Sequence, residues 1–352
     1  MLQNSISRRR PVAYRAEKRH CAFGLGGSSL GFEIRKFRRR TVPRRRASMT
    51  TLGILGFGEA GSALARRLAD HGANVRCFDP AQGRSDASCE TSIHDAPGIT
   101  SCSLVELLAS SEVILSTVTT DAALEAAQNC IPHLGKQHVY CDLNSTAPAI
   151  KRQLHDLIRP TSAVFVEGAI LGAIGVTGAS TRILLGGAYA AELSGTLNSY
   201  GLNTAPYSQE IGKASTFKML RSIFSKGLEA LVLEFLMAGR MAGLQDDLWR
   251  EVTTLLAEND FDQVSRNWVC SHGVAHKRRY HEMAQVAELL SNMKIDAIMT
   301  DASTEFFKRS VDLELDQDFS RKPEDMDAVI EALLRRIRRP RASPESTRTE
   351  PE

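Results

Sequence analysis

Short apolar runs alternate with helical segments along the chain from residue 51 to about residue 200. The apolar runs cover residues 52–57, 74–78, 112–118, 138–142 and 162–170, and they predict buried parallel strands. Helices are predicted between them, over residues 59–71, 103–110, 121–132 and 146–158. Strands separated by helices of this length form βαβ units, which build a doubly wound parallel sheet. A strand at 182–185 and a helix near 188–199 complete this predicted α/β domain, residues 49–208.

The pattern changes after residue 208, where helices follow one another without strands. Residues 212–243 predict one long helix, which is apolar on nearly every side between Leu228 and Met241. A helix without a polar face belongs in a core or at a subunit interface. We therefore expect an all-α domain over residues 209–338 and a homodimer or larger homo-oligomer built on this helix. Residues 339–352 have the composition of a disordered tail.

The 352 residues divide their charge unevenly. Residues 1–48 hold 14 Lys and Arg and two acids, a net charge of +12, whereas the other residues carry a net charge of −9. An acidic body argues against a nucleic-acid partner. No apolar stretch reaches the about 18 residues of a membrane span, so no membrane partner is expected.

The basic residues 1–48 are expected to form a disordered extension. They are either a mitochondrial presequence, or a nuclear or nucleic-acid-binding patch, or sequence that precedes a true start at Met49. The seven cysteines include no CxxC pair, which fits a reducing compartment. We expect a cytoplasmic protein, or a mitochondrial one if the presequence is genuine.

The first predicted strand ends in Gly56-Phe57-Gly58-Glu59-Ala60-Gly61, which has the spacing G-x-G-x-x-G. The first glycine permits a tight turn, the second leaves space for a pyrophosphate, and the third allows the helix to pack closely on the strand. The first N–H groups of that helix would then face the phosphates. At the first βα turn, the motif predicts a Rossmann domain that binds NAD or NADP.

Two further strand ends are expected beside the cofactor. Asp79 ends the second strand, where a carboxylate accepts hydrogen bonds from ribose hydroxyls and repels a 2′-phosphate. Asp79 thus favours NAD, while Arg84 leaves NADP possible. Val118 and Thr119 end the third apolar run and would line the cofactor crevice; the alternative is that this segment only caps the next helix.

Polar residues of the long helix and of the strand end at 142 are candidates for the chemistry. Ser215, Lys218 and Ser222 stand at i, i+3 and i+7 and form one polar stripe. In a dry cleft beside a nicotinamide, the lysine pKa would fall towards the roughly 7–8 that a general base requires. From the residues alone, Lys218 is either this base or a surface lysine. Asn144 and Ser145 either contact a ligand or cap the next helix.

A group of possible metal ligands lies further along the chain. Cys270, His272, His276 and His281 are close in sequence, and His272 and His276 have the i, i+4 spacing that can bind zinc. The chain has no HExxH or CxxC, and the basic residues 277–279 would repel a cation. The prediction is a polar helix face and no metal site.

Three blocks of this sequence resemble those of the β-hydroxyacid dehydrogenases, the group of 6-phosphogluconate and 3-hydroxyisobutyrate dehydrogenases. The blocks are residues 56–61, 142–148 and 212–219, and the resemblance extends over about residues 51–325. It is strongest to a poorly characterised branch whose C-terminal domain is of the phosphogluconate-dehydrogenase type. The family's catalytic lysine follows a glycine by six residues, as Lys218 follows Gly212.

The resemblance implies hydride transfer between a nicotinamide and a small hydroxyacid-like substrate, with Lys218 as general acid or base. The residues that it places around the substrate are Asn144, Ser145, Gly172, Ala173 and Ser222. The family usually has Asn at the position of Ser222, and Ser-Gly-Gly where this chain has Leu171-Gly172-Ala173. These departures imply the same chemistry on a different substrate. The alternative is a sensor that binds NAD(P) without turnover.

Overall fold

The structure is a computed structural model that describes residues 50–80, 97–172, 174 and 178–338. The predicted extension at 1–48, the predicted tail at 339–352, Arg84 and Ala173 lie outside the described residues. Within the described residues, the strands come first and the long helices follow, as predicted.

The strands and helices have the following bounds. The strands are β1 (Thr51–Leu55), β2 (Asn74–Phe78), β3 (Ile99–Ser101), β4 (Val113–Ser116), β5 (Val139–Asp142), β6 (Val164–Ile170), β7 (Ile183–Gly186) and β8 (Thr204–Ser208). The helices among them are α1 (Glu59–Asp70), α2 (Leu104–Ser110), α3 (Ala123–Cys130), α4 (Pro148–Ile158) and α5 (Ala190–Ser199). The helices after the sheet are α6 (Lys213–Met241), α7 (Gln245–Glu258), α8 (Phe261–Asn292), α9 (Ile298–Asp312) and α10 (Met326–Arg338).

The eight strands join in one sheet in the order β3-β2-β1-β4-β5-β6-β7-β8. Strands β1 to β6 are mutually parallel, β7 is antiparallel to β6, and β8 is parallel to β7. The predicted doubly wound sheet followed by helices is confirmed, with one correction: the sheet is mostly, not wholly, parallel. The chain turns back between β6 and β7, and an antiparallel neighbour needs no crossover helix.

The sequence predicted neither β3 nor β8, and these strands form the two edges of the sheet. β3 has only three residues, and β8 contains Pro206 and two exposed positions. An edge strand has a hydrogen-bonded neighbour on one side only and tolerates proline and polar residues. These strands therefore lack the continuous apolar run by which the inner strands were predicted.

Two hydrophobic layers cover the two faces of the sheet. On one face, α1 and α5 pack against the strands through residues such as Leu64 and Leu193. On the other face, α2, α3 and α4 contribute Leu107, Ala127 and Leu154. Parallel strands are buried on both faces by such helices, and this explains their nearly uninterrupted apolar sequences.

Helix α6 begins against the sheet and ends among the C-terminal helices. Near its start, the buried Ala214 packs against Ala169 of β6. Further along, the buried Glu234 carboxylate accepts hydrogen bonds from the N–H groups of Met299 and Thr300, at 2.7 and 2.8 Å. These N–H groups belong to the first turn of α9, so Glu234 caps that helix from a neighbouring one.

The predicted polar helix face at His272 and His276 is wrong, because both side chains are buried between α8 and neighbouring elements. His272 Nε2 lies 2.9 Å from the Ser310 hydroxyl, and its ring contacts Phe306. Burial, and then repulsion from His276 and Arg279, lower the pKa of His272 to about 4. Among the described residues, no group of His, Cys, Asp and Glu side chains could hold a metal ion.

The C-terminal helices expose many large apolar side chains in the single chain. Of the 28 such residues that are exposed in the described ranges, three precede α6 and 25 lie in residues 213–338. On α6 itself, the exposed fraction is 71% for Ile223 and 57% for Leu233. Across the described ranges, no helix is both long and apolar enough to cross a membrane.

Candidate functional site

The three glycines of the first βα turn meet three different requirements. Gly56 has a φ of 95°, and a Cβ there would lie 2.8 Å from the backbone of Thr117. A Cβ on Gly61 would lie 2.0 Å from the Gly56 carbonyl oxygen, so α1 packs on β1 only with glycine at this position. A Cβ on Gly58 would meet no described atom within 4 Å. This open side is what a pyrophosphate needs in order to approach the first N–H groups of α1.

Asp79 supports the glycine loop from the end of β2. Its Oδ2 accepts a hydrogen bond of 2.6 Å from the Phe57 N–H. The Phe57 side chain is buried in the core, whereas Glu59 is exposed and Ala60 is half-buried at the beginning of α1. Among the residues between the glycines, the phenylalanine thus anchors the loop.

A cavity of about 510 Å³ lies outside the carboxyl ends of the strands, where the strand order reverses between β1 and β4. This is the usual ligand position in an open α/β sheet. Five predicted cofactor residues line it: Gly56, Gly58, Asp79, Val118 and Thr119. A second wall, which was not predicted from the sequence, is formed by Ala122, Glu125, Ala126 and Asn129. Ala122 immediately precedes α3, and the spacing of i, i+3, i+4 and i+7 places the other three on the same face of that helix, a signal that could have found them.

The residues after β5 form a hydrogen-bonded loop beside this crevice. Asn144 Nδ2 donates to Ser116 Oγ of β4 at 3.1 Å and to Asp142 Oδ1 at 2.5 Å. The Asn144 Oδ1 atom is buried and accepts no hydrogen bond from the described residues. Helix α4 begins at Pro148 after Ala147, without a side-chain cap, so Asn144 does not cap it. Its buried acceptor suits a hydroxyl or N–H group of a ligand.

A buried lysine, which the sequence analysis missed, lies behind this loop. The Nζ atom of Lys151 lies 2.5 Å from Asp142 Oδ2, and it also contacts the carbonyl oxygens of Asp142, Asn144 and Gly168 at 2.8, 2.8 and 3.2 Å. Lys151 and Leu154 share the fully buried face of α4. A charge on an apolar helix face must find a partner, and that signal could have identified Lys151.

Lys218 reaches the same loop from α6. Its Nζ donates a hydrogen bond of 2.5 Å to Ser145 Oγ, which joins two residues that the sequence predicted separately. Burial, and then the positive charge of Lys151, lower the pKa of Lys218. Arg221, one turn further along α6, is exposed. Ser222 is also exposed, and its hydroxyl donates to the Lys218 carbonyl at 3.1 Å, so in this structure it does not contact the 142–145 loop side chains.

Glu167 fixes the start of α6 and was not predicted. This fully buried carboxylate lies in the middle of β6. It accepts hydrogen bonds from the N–H groups of Gly212 and Ala214 at 2.8 and 2.9 Å, and from the Ser215 hydroxyl at 2.9 Å. Ser215 therefore belongs to the base of the helix and not to the predicted ligand-facing stripe. A lone acid inside an apolar strand was the available signal.

The segment after β6 lies near the start of the same helix. Leu171, which stands where the family has a serine, packs with Ala169, Leu184 and Ala214. Gly172 follows and is exposed. The side chain at position 171 is thus part of an apolar cluster at the start of α6 and offers no polar group.

Comparison with known proteins identifies the family to which the sheet-forming part of the chain is similar. Residues 51–201 match the family model for the NAD-binding domain of 6-phosphogluconate dehydrogenase. An uncharacterised 28.5 kDa protein of Methanothermus fervidus is 26% identical over 257 residues, which are 73% of this chain and 97% of that protein.

Solved structures extend the similarity over the C-terminal helices. A conserved protein of unknown function, described as similar to 3-hydroxyacid dehydrogenases, is 34% identical, with 76% of this chain and 98% of that chain covered and a TM-score of 0.51. An imine reductase from Myxococcus stipitatus, solved with NADP+, is 18% identical, with 80% and 99% covered and a TM-score of 0.62. A variant of that enzyme was solved with NAD+.

The family model and these structures support an NAD(P)-dependent oxidoreductase. The cofactor prediction, NAD with NADP possible, is confirmed at the level of an NAD-binding domain. The imine reductases share the fold with this chain at less than a quarter identity, so their reaction does not transfer to it.

Proposed function

The chain belongs to the superfamily of 6-phosphogluconate and 3-hydroxyacid dehydrogenases, and we propose that it oxidises or reduces a small hydroxyacid-like substrate with Lys218 as general base or acid. The observation that carries this proposal is the hydrogen bond of 2.5 Å between Lys218 Nζ and Ser145 Oγ. Through this hydrogen bond, the lysine of α6 reaches the loop at the carboxyl end of β5, beside the cofactor crevice.

The glycine loop and Asp79 would hold the cofactor. The open side of Gly58 and the first N–H groups of α1 suit the pyrophosphate. The Asp79 carboxylate lines the cavity, where its negative charge favours the ribose hydroxyls of NAD over the 2′-phosphate of NADP. Val118 and Thr119 line the same cavity and would contact the cofactor between the ribose and the nicotinamide. Phe57, Glu59, Ala60 and Gly61 complete the predicted loop.

When bound, the nicotinamide accepts or supplies the hydride. The chain's own residues handle the proton. In oxidation, the unprotonated amine of Lys218 accepts the proton of the substrate hydroxyl; in reduction, its ammonium donates that proton. The lowered pKa of Lys218 makes the unprotonated form more accessible near neutral pH.

Ser145 and Asn144 would orient the reacting oxygen. Because Ser145 Oγ accepts the hydrogen bond from Lys218, its own proton is available for a substrate oxygen. Both N–H bonds of the Asn144 amide are already used, so this side chain acts on a ligand as an acceptor through Oδ1. Gly172, Ala173 and Ser222 complete the proposed substrate contacts. The apolar Leu171 favours a substrate with a less polar group than the family's serine would bind.

A homodimer is part of the proposal. Residues 213–338 expose 25 large apolar side chains in the single chain, and exposed apolar patches mark interaction surfaces. A second copy of the chain, packed on α6, would bury those on this helix.

The test is turnover of small 3-hydroxyacids with NAD and with NADP, followed by the absorbance of the reduced nicotinamide. Lys218→Ala should reduce kcat/KM on the order of 10²–10⁴-fold, because the proton transfer loses its base. The matched control is Lys213→Ala, which removes an exposed lysine from the same helix. Binding of NADH, measured by fluorescence, should be the same in the parent and both variants.

Two results would contradict the proposal. Equal kcat/KM for Lys218→Ala and the parent would remove the lysine from the mechanism. Tight NADH binding without turnover of any hydroxyacid on a broad panel would instead favour the sensor alternative, to which Leu171 and Ser222 point because they replace polar family residues.

A further inference from the structure

We propose that Lys151 is a positioning residue for Lys218: its buried ammonium holds the 142–145 loop in the shape that presents Ser145 to that lysine. The proposal rests on the proposed function for the identity of the base. It concerns a residue of α4 that does not line the cofactor cavity and has no direct hydrogen bond to Lys218 among the described residues.

The surroundings of Lys151 Nζ consist of hydrogen-bond acceptors. Four acceptors lie within 3.2 Å of its Nζ: the Asp142 carboxylate and three backbone carbonyl oxygens. An ammonium offers three N–H donors, whereas an amine offers only two. The adjacent carboxylate supplies the counter-charge that a fully buried ammonium needs. All the hydrogen-bonding capacity of this side chain is thus directed at the loop and at β6.

These contacts fix the backbone immediately before Ser145. Two of the carbonyl groups belong to Asp142 and Asn144, and the carbonyl of Asn144 forms the peptide bond with Ser145. The Gly168 carbonyl ties the same ammonium to β6. The position of Ser145 Oγ, 2.5 Å from Lys218 Nζ, is therefore set from the rear by Lys151.

Charged groups reach the first turns of α6 from neighbouring elements. Glu167 of β6 is engaged by the N–H groups at the helix start. Arg152 of α4 lies at the same end, because a Cβ on Gly212 would stand 2.6 Å from its guanidinium. Burial is the main cause of the lowered pKa of Lys218, and the charge of Lys151 is the second cause. Lys151 therefore acts on Lys218 through charge as well as through the loop.

The titration of Lys218 is measured directly by NMR. Full-length protein is produced with lysine labelled with ¹³C at Cε, the Lys218 signal is assigned by its loss in Lys218→Arg, and its shift is followed against pH. In Lys151→Met, Lys218 should titrate at higher pH than in the parent, because a like charge is lost. Lys151→Arg, which keeps the charge, should titrate close to the parent. Lys213→Met is the control and should change nothing.

Enzymatic pH profiles give the second readout. Because the base works unprotonated, the acid limb of kcat/KM should move to higher pH in Lys151→Met. The loss of activity should be about 3–10-fold larger at the acidic end of the profile than at the alkaline end. A purely structural role would lower activity by the same factor at every pH.

A second variant controls for misfolding, because Lys151→Met leaves Asp142 buried without a partner. The double variant Asp142→Asn, Lys151→Met removes both charges, which act on Lys218 with opposite signs, so its Lys218 titration should rise less than in Lys151→Met. If Lys151→Met binds NADH normally and shows an unchanged titration and an unchanged acid limb, the proposal is overturned. An unchanged kcat/KM in a double variant that binds NADH normally would likewise show that the loop does not depend on Lys151. Turnover is not needed for the titration, so a failure of the proposed reaction and a failure of this inference give different results.

Discussion

Apolar side chains are buried in one half of the molecule and exposed in the other. We call residues 50–208 the sheet half and residues 213–338 the helical half. Leu64 and Leu154 in the sheet half are fully buried, because helices cover both faces of the sheet. In the helical half, Ile223 and Leu233 face outward in the single chain. The first half thus completes its own core, whereas the second half leaves many apolar side chains uncovered in the single chain. The catalytic lysine that we propose stands near the border between them.

The largest effect is expected from a charge on the outward face of α6. Leu233→Asp should abolish the proposed homodimer, weakening association by more than about 100-fold, because a carboxylate would be buried without a partner. Sedimentation velocity of parent and variant measures this effect. The matched control is Val105→Asp, an exposed apolar residue of the sheet half. If both variants sediment like the parent, the helical half does not depend on a second copy through this face.

A smaller loss is expected from Glu167→Ala, which acts where the two halves join. It leaves the buried N–H groups of Gly212 and Ala214 and the Ser215 hydroxyl without their acceptor. The free energy of unfolding should fall by about 3 kcal/mol, measured by urea denaturation. Glu210→Ala, an exposed acid next to the same helix, should lie within about 0.5 kcal/mol of the parent. Equal stability of the two variants would mean that Glu167 does not secure α6.

The smallest effect concerns acid stability inside the helical half. His272 has a pKa of about 4 in the folded chain against 6.5 when unperturbed, so the unfolded state binds more protons between these values. The stability that the neutral ring provides is present above about pH 6.5 and is lost as the pH falls towards 4. From about pH 7 to about pH 4.5 the loss should be about 2 kcal/mol.

His272→Gln should remove most of this dependence, because glutamine does not titrate. His281→Gln is the matched control, since His281 is exposed on the same helix. Denaturation at the two pH values measures the difference. A parent and a His272→Gln variant with parallel pH dependence would show that the burial of His272 does not contribute to acid instability.

Local signals made the sheet half largely predictable. The inner strands are buried on both faces and therefore contain apolar runs, and the turn at Gly56 requires residues that are recognisable from spacing alone. The two edge strands were missed for the opposite reason, because half-exposed strands carry no such run. The antiparallel course of β7 was not predicted either, since a strand's direction is set by the connection that precedes it.

The candidate site was predictable only in part, because its support comes from buried charges far apart in sequence. Lys218 and Ser145 were each found from the residues around them or from the family resemblance. Lys151 and Glu167 were not found, since a single charged residue within an apolar segment looks like a minor exception. Their partners become visible only when α4, β6 and α6 are brought together. The same limitation explains the error at His272, whose buried partner Ser310 lies on another helix.

The anchoring of α6 at Glu167 has a consequence for insertions and deletions in this chain. Helical residues rise by 1.5 Å and turn by about 100° each, so Lys218, six residues after Gly212, stands about 9 Å along the helix in one fixed direction. Adding a single residue between them would rotate the amine by more than a quarter of a circle while leaving the helix intact. The same insertion beyond Lys218 would leave the amine in place. Length should therefore be strictly kept between Gly212 and Lys218, and again between Lys218 and Glu234, whose carboxylate must reach the first turn of α9.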